Sequence, residues 1–282
     1  RELKMNKILK KRQLSENVNE YVVDAPEVAK HARPGQFVIL RVDSEGERVP
    51  FTIADADDVN GTITILVQTI GMTTYKLSLL NEGEFIHDFV GPLGNPTDLG
   101  EYENIVLVGG GIGSAVIYPQ AKFRHKNGLK CDVIVGARNK SLLVYEDEFR
   151  TNSDNLYIVT DDGSYGEKGF VTNKLEALIK DGKKYDCVFA VGPVMMMKAV
   201  CDLTKKYGIK TIVSMNSTMV DGTGMCGCCR LSVGGETKYA CVDGPEFDGH
   251  QVDFMESVNR GKFYKEYECE CYKRELEKNG KI

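Results

Sequence analysis

Nowhere does the 282-residue chain carry an apolar run approaching the roughly 18 residues that a bilayer-crossing helix needs. The longest candidate, Val188 to Met197, is interrupted by Gly192 and Pro193, so no membrane span is expected. Basic charge is not in excess either: 36 Lys and Arg stand against 41 Asp and Glu, a net charge of −5, with no long like-charge run. Neutralising phosphates takes clustered cations, so a nucleic-acid partner is not expected. The basic start, Arg1 to Arg12, leads into the polar stretch Ser15 to Glu20 without the apolar centre of a secretory signal, and the expected location is cytoplasmic. Nine cysteines are too few for a disulfide-dense scaffold of this length, yet Cys226, Cys228, Cys229 and Cys241 fall within sixteen residues, a metal-like clustering. The histidines (His31, His87, His125, His250) are scattered, and none sits beside a Ser or Cys as a hydrolase would need.

What is present is an ordinary globular composition, 42% hydrophobic and 27% charged, on a length that suggests about two domains. Up to about residue 98, β-branched stretches (Tyr21 to Val23, Gln36 to Val42, Val49 to Ala54, Thr62 to Thr69) are separated by turn signals at Pro34 with Gly35 and at Asn60 with Gly61. They predict a small antiparallel barrel, 1–98, with one helix at Thr73 to Leu80. From Ile105 the rhythm becomes strand then helix, with strands at Ile105 to Val108, Cys131 to Val135, Leu156 to Val159, Cys187 to Val191 and Thr211 to Val213. Helix-compatible stretches lie at Ser114 to His125, Val144 to Arg150, Thr172 to Ile179 and Val194 to Tyr207. This β-α alternation predicts a doubly wound parallel sheet over 99–218. A Gly- and Cys-rich segment with a mixed-charge tail, 219–282, completes the chain, and Tyr264 to Lys278 reads as helical.

Asp221 to Arg230 reads DGTGMCGCCR, and Cys241 follows Cys229 after eleven residues. The Cys226 and Cys229 pair has C-x2-C spacing, which lets two thiolates from one tight turn reach a single iron or zinc. Gly222, Gly224 and Gly227 let the backbone fold around an inorganic centre and direct amides at its sulfurs. A structural zinc site is the alternative chemistry for this segment, and a turn-forming Asp before Gly222 is the alternative role for Asp221. A second run, Arg48, Val49, Pro50, Phe51, Thr52, offers a cation for a diphosphate and a hydroxyl beside apolar surface. Surface decoration is its plain alternative. About twenty residues on, Gly71, Met72, Thr73 and Thr74 open the predicted helix, where free amides and the helix dipole favour an anion; simple N-capping by Thr73 is compatible with that. A third feature, Ile105 to Ser114 (IVLVGGGIGS), turns a strand through glycines into a helix. Asp161 to Gly166 (DDGSYG) and Gly192 with Pro193 join it at carboxyl ends of strands, where open α/β sheets bind ligands. Met195 to Met197 read as helix core.

These residues resemble a known family. The electron-transfer subunit of dihydroorotate dehydrogenase carries C-x4-C-x2-C and a later Cys around a 2Fe-2S cluster; this chain has D-x4-C-x2-C-x11-C, with Asp221 in the first cysteine's place. That departure resembles the small subunit of NADH-dependent reduced ferredoxin:NADP oxidoreductases, also described as a sulfide dehydrogenase subunit, whose cluster is held by one Asp and three Cys. The resemblance implies Asp221, Cys226, Cys229 and Cys241 as ligands. The Arg48 to Thr52 run resembles the flavin motif of this branch of the ferredoxin reductase superfamily, with Thr52 near the reactive flavin nitrogen. Val67 and Gln68, ending the preceding strand, join Gly71, Thr73 and Thr74 in the implied FAD set. Gly91 to Asn95 (GPLGN) ends the barrel as in that superfamily, and Gly192 with Pro193 is similar to its C-G-P turn, although Val191 replaces the usual Cys. Gly110, Gly111, Gly113 and Asp162 complete the implied nucleotide set. Arg138 could hold a 2′-phosphate and no carboxylate selects a free ribose, so the residues leave NAD and NADP open, while the resemblance implies NAD(H).

The implied activity is that of an oxidoreductase subunit passing electrons between NAD(H), FAD and a 2Fe-2S cluster by orientation rather than acid-base catalysis. The implied partner is a larger subunit with another FAD and 4Fe-4S clusters, ferredoxin reacting through it, in flavin-based electron bifurcation. The dihydroorotate dehydrogenase electron-transfer subunit is the alternative within this class; a non-enzymatic redox sensor or zinc-stabilised binding module is the alternative outside it.

Overall fold

The computed structural model describes residues 6–278 and residue 280, so the first part of the basic start lies outside the described residues. Seven strands come first: β1 (Asn6–Ser15), β2 (Val18–Asp24), β3 (Phe37–Arg41), β4 (Val49–Asp57), β5 (Thr62–Gln68), β6 (Phe85–Ile86) and β7 (Asp88–Leu93). Helices α1 (Pro26–Ala29) and α2 (Met72–Leu79) interrupt them. The strands form one antiparallel sheet in the order β6-β1-β2-β5-β4-β3-β7, a nearly closed barrel. Alternate residues fill it: Val38 and Leu40 of β3, and Ile63, Ile65 and Val67 of β5, are all buried in one core with Tyr21, Ile53 and Leu77. Each such aliphatic contributes about 1.5–3 kcal/mol on leaving water, which makes the period-two pattern the main determinant of the barrel.

The four barrel strands predicted by alternation are present, whereas β1, β6 and β7 were not expected. β1 buries only Ile8 among its ten residues, so it offers no alternation to read. Its cations are structural instead. Lys11 Nζ donates to the carbonyls of Ser78 and Leu80 at 2.6 and 2.8 Å, capping the end of α2, and Arg12 pairs with Glu20 and Glu148.

The second half contains β8 (Ile105–Gly110), α3 (Gly113–Lys126), β9 (Cys131–Ala137), α4 (Glu146–Asn152), β10 (Asn155–Thr160), β11 (Glu167–Lys168), α5 (Val171–Lys180), β12 (Cys187–Val191), α6 (Val194–Lys206) and β13 (Lys210–Ser214). After them come the hairpin β14 (Arg230–Val233) and β15 (Glu236–Tyr239), then β16 (Glu246–Asp248), α7 (Phe254–Arg260) and α8 (Lys265–Lys278). The large sheet runs β11-β10-β9-β8-β12-β13-β16; its internal pairs are parallel except the last, β13 with β16. Val106 and Val108 of β8 pack on one face with Leu175 of α5 and Met197 and Val200 of α6; Ile105 and Leu107 pack on the other with Ile117 of α3 and Phe149 of α4. Burial on both faces explains why these strands read as continuous apolar runs. The expected doubly wound sheet is therefore present, with one addition that the alternation does not announce: β16 returns from the cysteine segment to join it.

The two sheets are tied together by buried polar groups. Arg124 of α3, almost fully buried, donates to the carbonyls of Leu99, Tyr102, Glu103 and Lys130 and so fixes the connection between barrel and sheet. Tyr145, in a left-handed conformation before α4, donates its hydroxyl to Glu20 of β2 at 2.6 Å.

Candidate functional site

The Arg48 to Thr52 run lies at the head of β4, with Pro50 facing Ile39 and Thr52 facing Phe37 across the strand pair. All five positions are partly exposed, while the next two, Ile53 and Ala54, are buried. Val67 is buried in the barrel core, so only its main chain can face a ligand; Gln68 is partly exposed. Helix α2 starts from Gly71 in extended backbone, and a Cβ there would meet nothing within 4 Å. The cap is supplied by Thr74, not Thr73: Thr74 Oγ1 accepts from the amides of Ile70 and Gly71, both at 3.0 Å, and donates to the Gly71 carbonyl at 2.9 Å. Thr73 is buried in the first turn. The positive end of α2 thus opens beside a glycine with free space around it, as an anion requires.

The glycines after β8 behave differently from one another. A Cβ on Gly110 would lie 2.3 Å from Met196 Sδ, and one on Gly113 would lie 2.4 Å from the Val191 carbonyl. A Cβ on Gly192 would in turn lie 3.1 Å from Gly110 Cα. The β8-α3 and β12-α6 turns are therefore pressed together, and three of the four glycines serve that contact. Gly111 has φ +57° and nothing within 4 Å of a Cβ, so it alone of this set is open to a ligand. Pro193 is exposed at the start of α6, and Arg138 and Asp162 are exposed on neighbouring loops. Asp162 accepts from the Ser164 amide at 2.8 Å. Of the methionines read as helix core only Met197 is fully buried; Met196 packs on Gly110, and Met195 is exposed.

In the cysteine segment, Gly222, Gly224 and Gly227 have φ +80°, +81° and +68°, left-handed values that winding this loop requires. Cys229 and Cys241 are buried with their sulfurs 3.2 Å apart, and burial pushes the Cys241 thiol up to about 12. Cys226 is exposed; the main-chain amides of Cys228 and Asp221 favour its thiolate and hold it below the ordinary range. The Asp221 carboxylate accepts from the amides of Thr223 and Cys226 at 2.6 and 2.8 Å, which hold its pKa low. Among the described residues no three His, Cys, Asp or Glu side chains converge as a metal-binding group, so Cys229 and Cys241 are brought together while Asp221 and Cys226 stand apart from them.

The barrel grips this segment directly. Arg48 Nε donates to the Val220 carbonyl at 2.8 Å, and its Nη2 lies 3.5 Å from the Asp221 carbonyl. A Cβ on Gly222 would strike Leu93 and Ile39. Asn95 of the GPLGN turn donates from its main chain to Gly244 and from its side chain to Val242, next to Cys241. Two further arginines contact the loop's main chain: Arg230 donates to Gly227 and Arg260 to Cys228, both at 3.0 Å. Arg230 stands inside the cysteine motif and could have been singled out from it; Arg260 lies beyond it on α7 with no local signal.

Comparison with known proteins gives the family. Residues 5–97 match the oxidoreductase FAD-binding domain, and residues 216–253 match the iron-sulfur cluster binding domain of dihydroorotate dehydrogenase B. The chain is 46% identical over 98% of its length, and 97% of the relative's, to the Thermotoga maritima homologue of the dihydroorotate dehydrogenase B (NAD(+)) electron transfer subunit. The chain belongs to that electron-transfer subunit family. A Clostridium beijerinckii protein from the adh 3′ region is 51% identical, covering 93% of this chain and 91% of its own. A chain of the NADH-dependent reduced ferredoxin-NADP oxidoreductase, solved for insights into flavin-based electron bifurcation, is 45% identical with a TM-score of 0.91, covering 96% of this chain and 98% of its own. The subunit is an electron-transfer oxidoreductase component with FAD and iron-sulfur domains. Its residues fit both groups: a soft thiol-rich donor set on a glycine-wound loop, and a half-exposed strand beside the open head of α2. No described helix is long and apolar enough to cross a membrane.

Proposed function

We propose that this subunit relays electrons between NAD(H) and a larger partner subunit, in a flavin-based electron bifurcation that links NADH, ferredoxin and NADP. FAD, when bound, exchanges a hydride with the nicotinamide and single electrons with the 2Fe-2S cluster. The observation that carries the proposal is the Arg48 contact with Val220, which joins the β4 run to the cysteine loop. On this proposal 1–98 is the flavin barrel, 99–218 the nucleotide domain and 219–282 the cluster segment with its tail.

Arg48, Pro50, Phe51 and Thr52, with Val67 and Gln68, hold the flavin, and Gly71, Thr73 and Thr74 offer amides to its diphosphate. Gly111 borders the nicotinamide nucleotide, supported by Gly110, Gly113, Gly192 and Pro193, with Arg138 and Asp162 at the far nucleotide. Asp221, Cys226, Cys229 and Cys241 would hold the cluster, which would supply single-electron transfer there. The protein's contribution is orientation, with reacting atoms about 3–3.5 Å apart, and exclusion of oxygen. The partner carries a second FAD, 4Fe-4S clusters and the NADP site, and the complex works in the cytoplasm.

The test is anaerobic purification of the full chain with whatever co-purifies, followed by visible spectra, flavin, iron and acid-labile sulfide content, and reduction by NADH against NADPH. Flavin and cluster absorption bleached faster by NADH supports the proposal. A colourless zinc protein overturns it, and co-purification with a dihydroorotate-oxidising subunit replaces it with the related electron-transfer role.

A further inference from the structure

Three guanidiniums contact the cysteine loop, and each donates to a main-chain carbonyl of it. Arg48 takes Val220, Arg230 takes Gly227 and Arg260 takes Cys228. They come from three separate elements: the approach to β4, the start of β14 and the end of α7. Among the described residues the cis peptides are Gly91-Pro92 and Gly244-Pro245, so the loop peptides are trans, and in a trans peptide the N-H points opposite to the C=O. A carbonyl held by a guanidinium therefore turns the next residue's amide away from that guanidinium. The amides that follow the Val220 and Gly227 carbonyls belong to Asp221 and Cys228, both within the cysteine motif. The amide that follows the Cys228 carbonyl belongs to Cys229, whose sulfur lies against Cys241.

We propose that Arg48, Arg230 and Arg260 form a guanidinium clamp on the cluster loop, aiming its amides at the ligand sulfurs and raising the reduction potential of the cluster the loop holds. The clamp rests on the iron-sulfur function proposed above. One carboxylate and three thiolates give the loaded loop a surplus of negative charge, and reduction adds to it. Nearby cations and amide donors stabilise the more negative, reduced state, so they shift the midpoint upward. Arg230 and Arg260 are positioning residues that act through the main chain, and α7, which carries Arg260, is further tied down by Glu256 accepting from the Ser232 amide at 2.9 Å.

The test uses Arg230 and Arg260 of the full chain, because Arg48 also belongs to the proposed flavin set. Arg230→Gln, Arg260→Gln and the corresponding Lys variants are purified anaerobically, assayed for iron and sulfide, and titrated with the cluster signal followed by electron paramagnetic resonance. Loaded Gln variants with a lowered midpoint, and Lys variants close to the parent, support the clamp. So does failure of a Gln variant to load while its Lys counterpart loads at the parental midpoint. Loaded Gln variants at the parental midpoint overturn it, and so does loss of loading in both Gln and Lys variants, which a merely architectural arginine would give. A parent chain without iron or sulfide instead refutes the iron-sulfur function itself, so the two failures are distinguishable.

Discussion

Two glycine-rich regions of this subunit use the same residue for opposite ends. In the turns after β8 and β12, Gly110, Gly113 and Gly192 are needed because protein atoms crowd their missing side chains, and the contacts they permit are protein on protein. In the cysteine loop, Gly224 and Gly227 are needed chiefly for left-handed backbone, with neighbours no nearer than 3.0 Å, and the loop is held from outside by arginine side chains. One region is fixed by protein packing on protein; the other has its main chain held by side chains from elsewhere in the fold. A nucleotide that comes and goes suits the first arrangement, and a group inserted once suits the second.

The largest effect is expected at Gly113. A methyl there meets the Val191 carbonyl at 2.4 Å, a backbone atom that cannot step aside, so Gly113→Ala is expected to lose about 3 kcal/mol of stability through overpacking. Urea denaturation followed by circular dichroism measures it. A loss under about 1 kcal/mol would mean that the two turns are not pressed together in solution.

Glu246 sits where the regions are joined, on the strand that returns from the cysteine segment to the parallel sheet. Thr97 Oγ1 lies 2.5 Å from its carboxyl, and burial raises its pKa from the ordinary 4.5 to about 7. The folded state then keeps a proton that the unfolded chain releases. Stability from this group is fully present below about pH 4.5 and is lost as pH rises to about 7, a difference of about 3 kcal/mol. Glu246→Gln should abolish this slope and be the more stable protein at pH 8. Parallel stability profiles for the two proteins between pH 5 and 8 would show that the carboxyl is solvated.

Much of this was legible from the residues, and the reasons for the rest are physical. Val38 and Leu40, or Ile63 and Ile65, announce their strands because a single alternation decides which face is buried. β16 is three residues long and pairs with a strand 32 residues earlier, so no local pattern records it. The cysteine spacing points to the loop, but Arg260 reaches it only after the chain has folded back through a hairpin, β16 and α7. Likewise the glycines of Ile105 to Ser114 look alike in sequence; only the approach of Val191 and Met196 separates Gly110 and Gly113 from Gly111.

Arg48 sharpens the comparison from the barrel side, since it belongs both to the proposed flavin run and to the cluster loop. Arg48→Ala should weaken FAD retention by about 1.5–3 kcal/mol if the guanidinium meets the diphosphate. Flavin occupancy after dialysis reads that term, and the cluster midpoint reads the loss of the Val220 contact separately. Full flavin retention together with an unchanged midpoint would remove Arg48 from both roles.

The smallest effect on stability is expected at Gly111, and it is the most informative about the nucleotide. Its backbone is left-handed at φ +57°, so an alanine there costs about 1–2 kcal/mol of strain, but its methyl touches no protein atom within 4 Å. The flavin and cluster spectra of Gly111→Ala should therefore match the parent. A methyl pointing into open space can impede only something that occupies that space, so a slower reduction by NADH in stopped flow, with photochemical reduction of the flavin unaffected, would mark Gly111 as the wall of the nucleotide site. If NADH reduces Gly111→Ala at the parental rate, the open glycine does not border the nucleotide, and the glycines of this turn serve chain packing and backbone conformation alone.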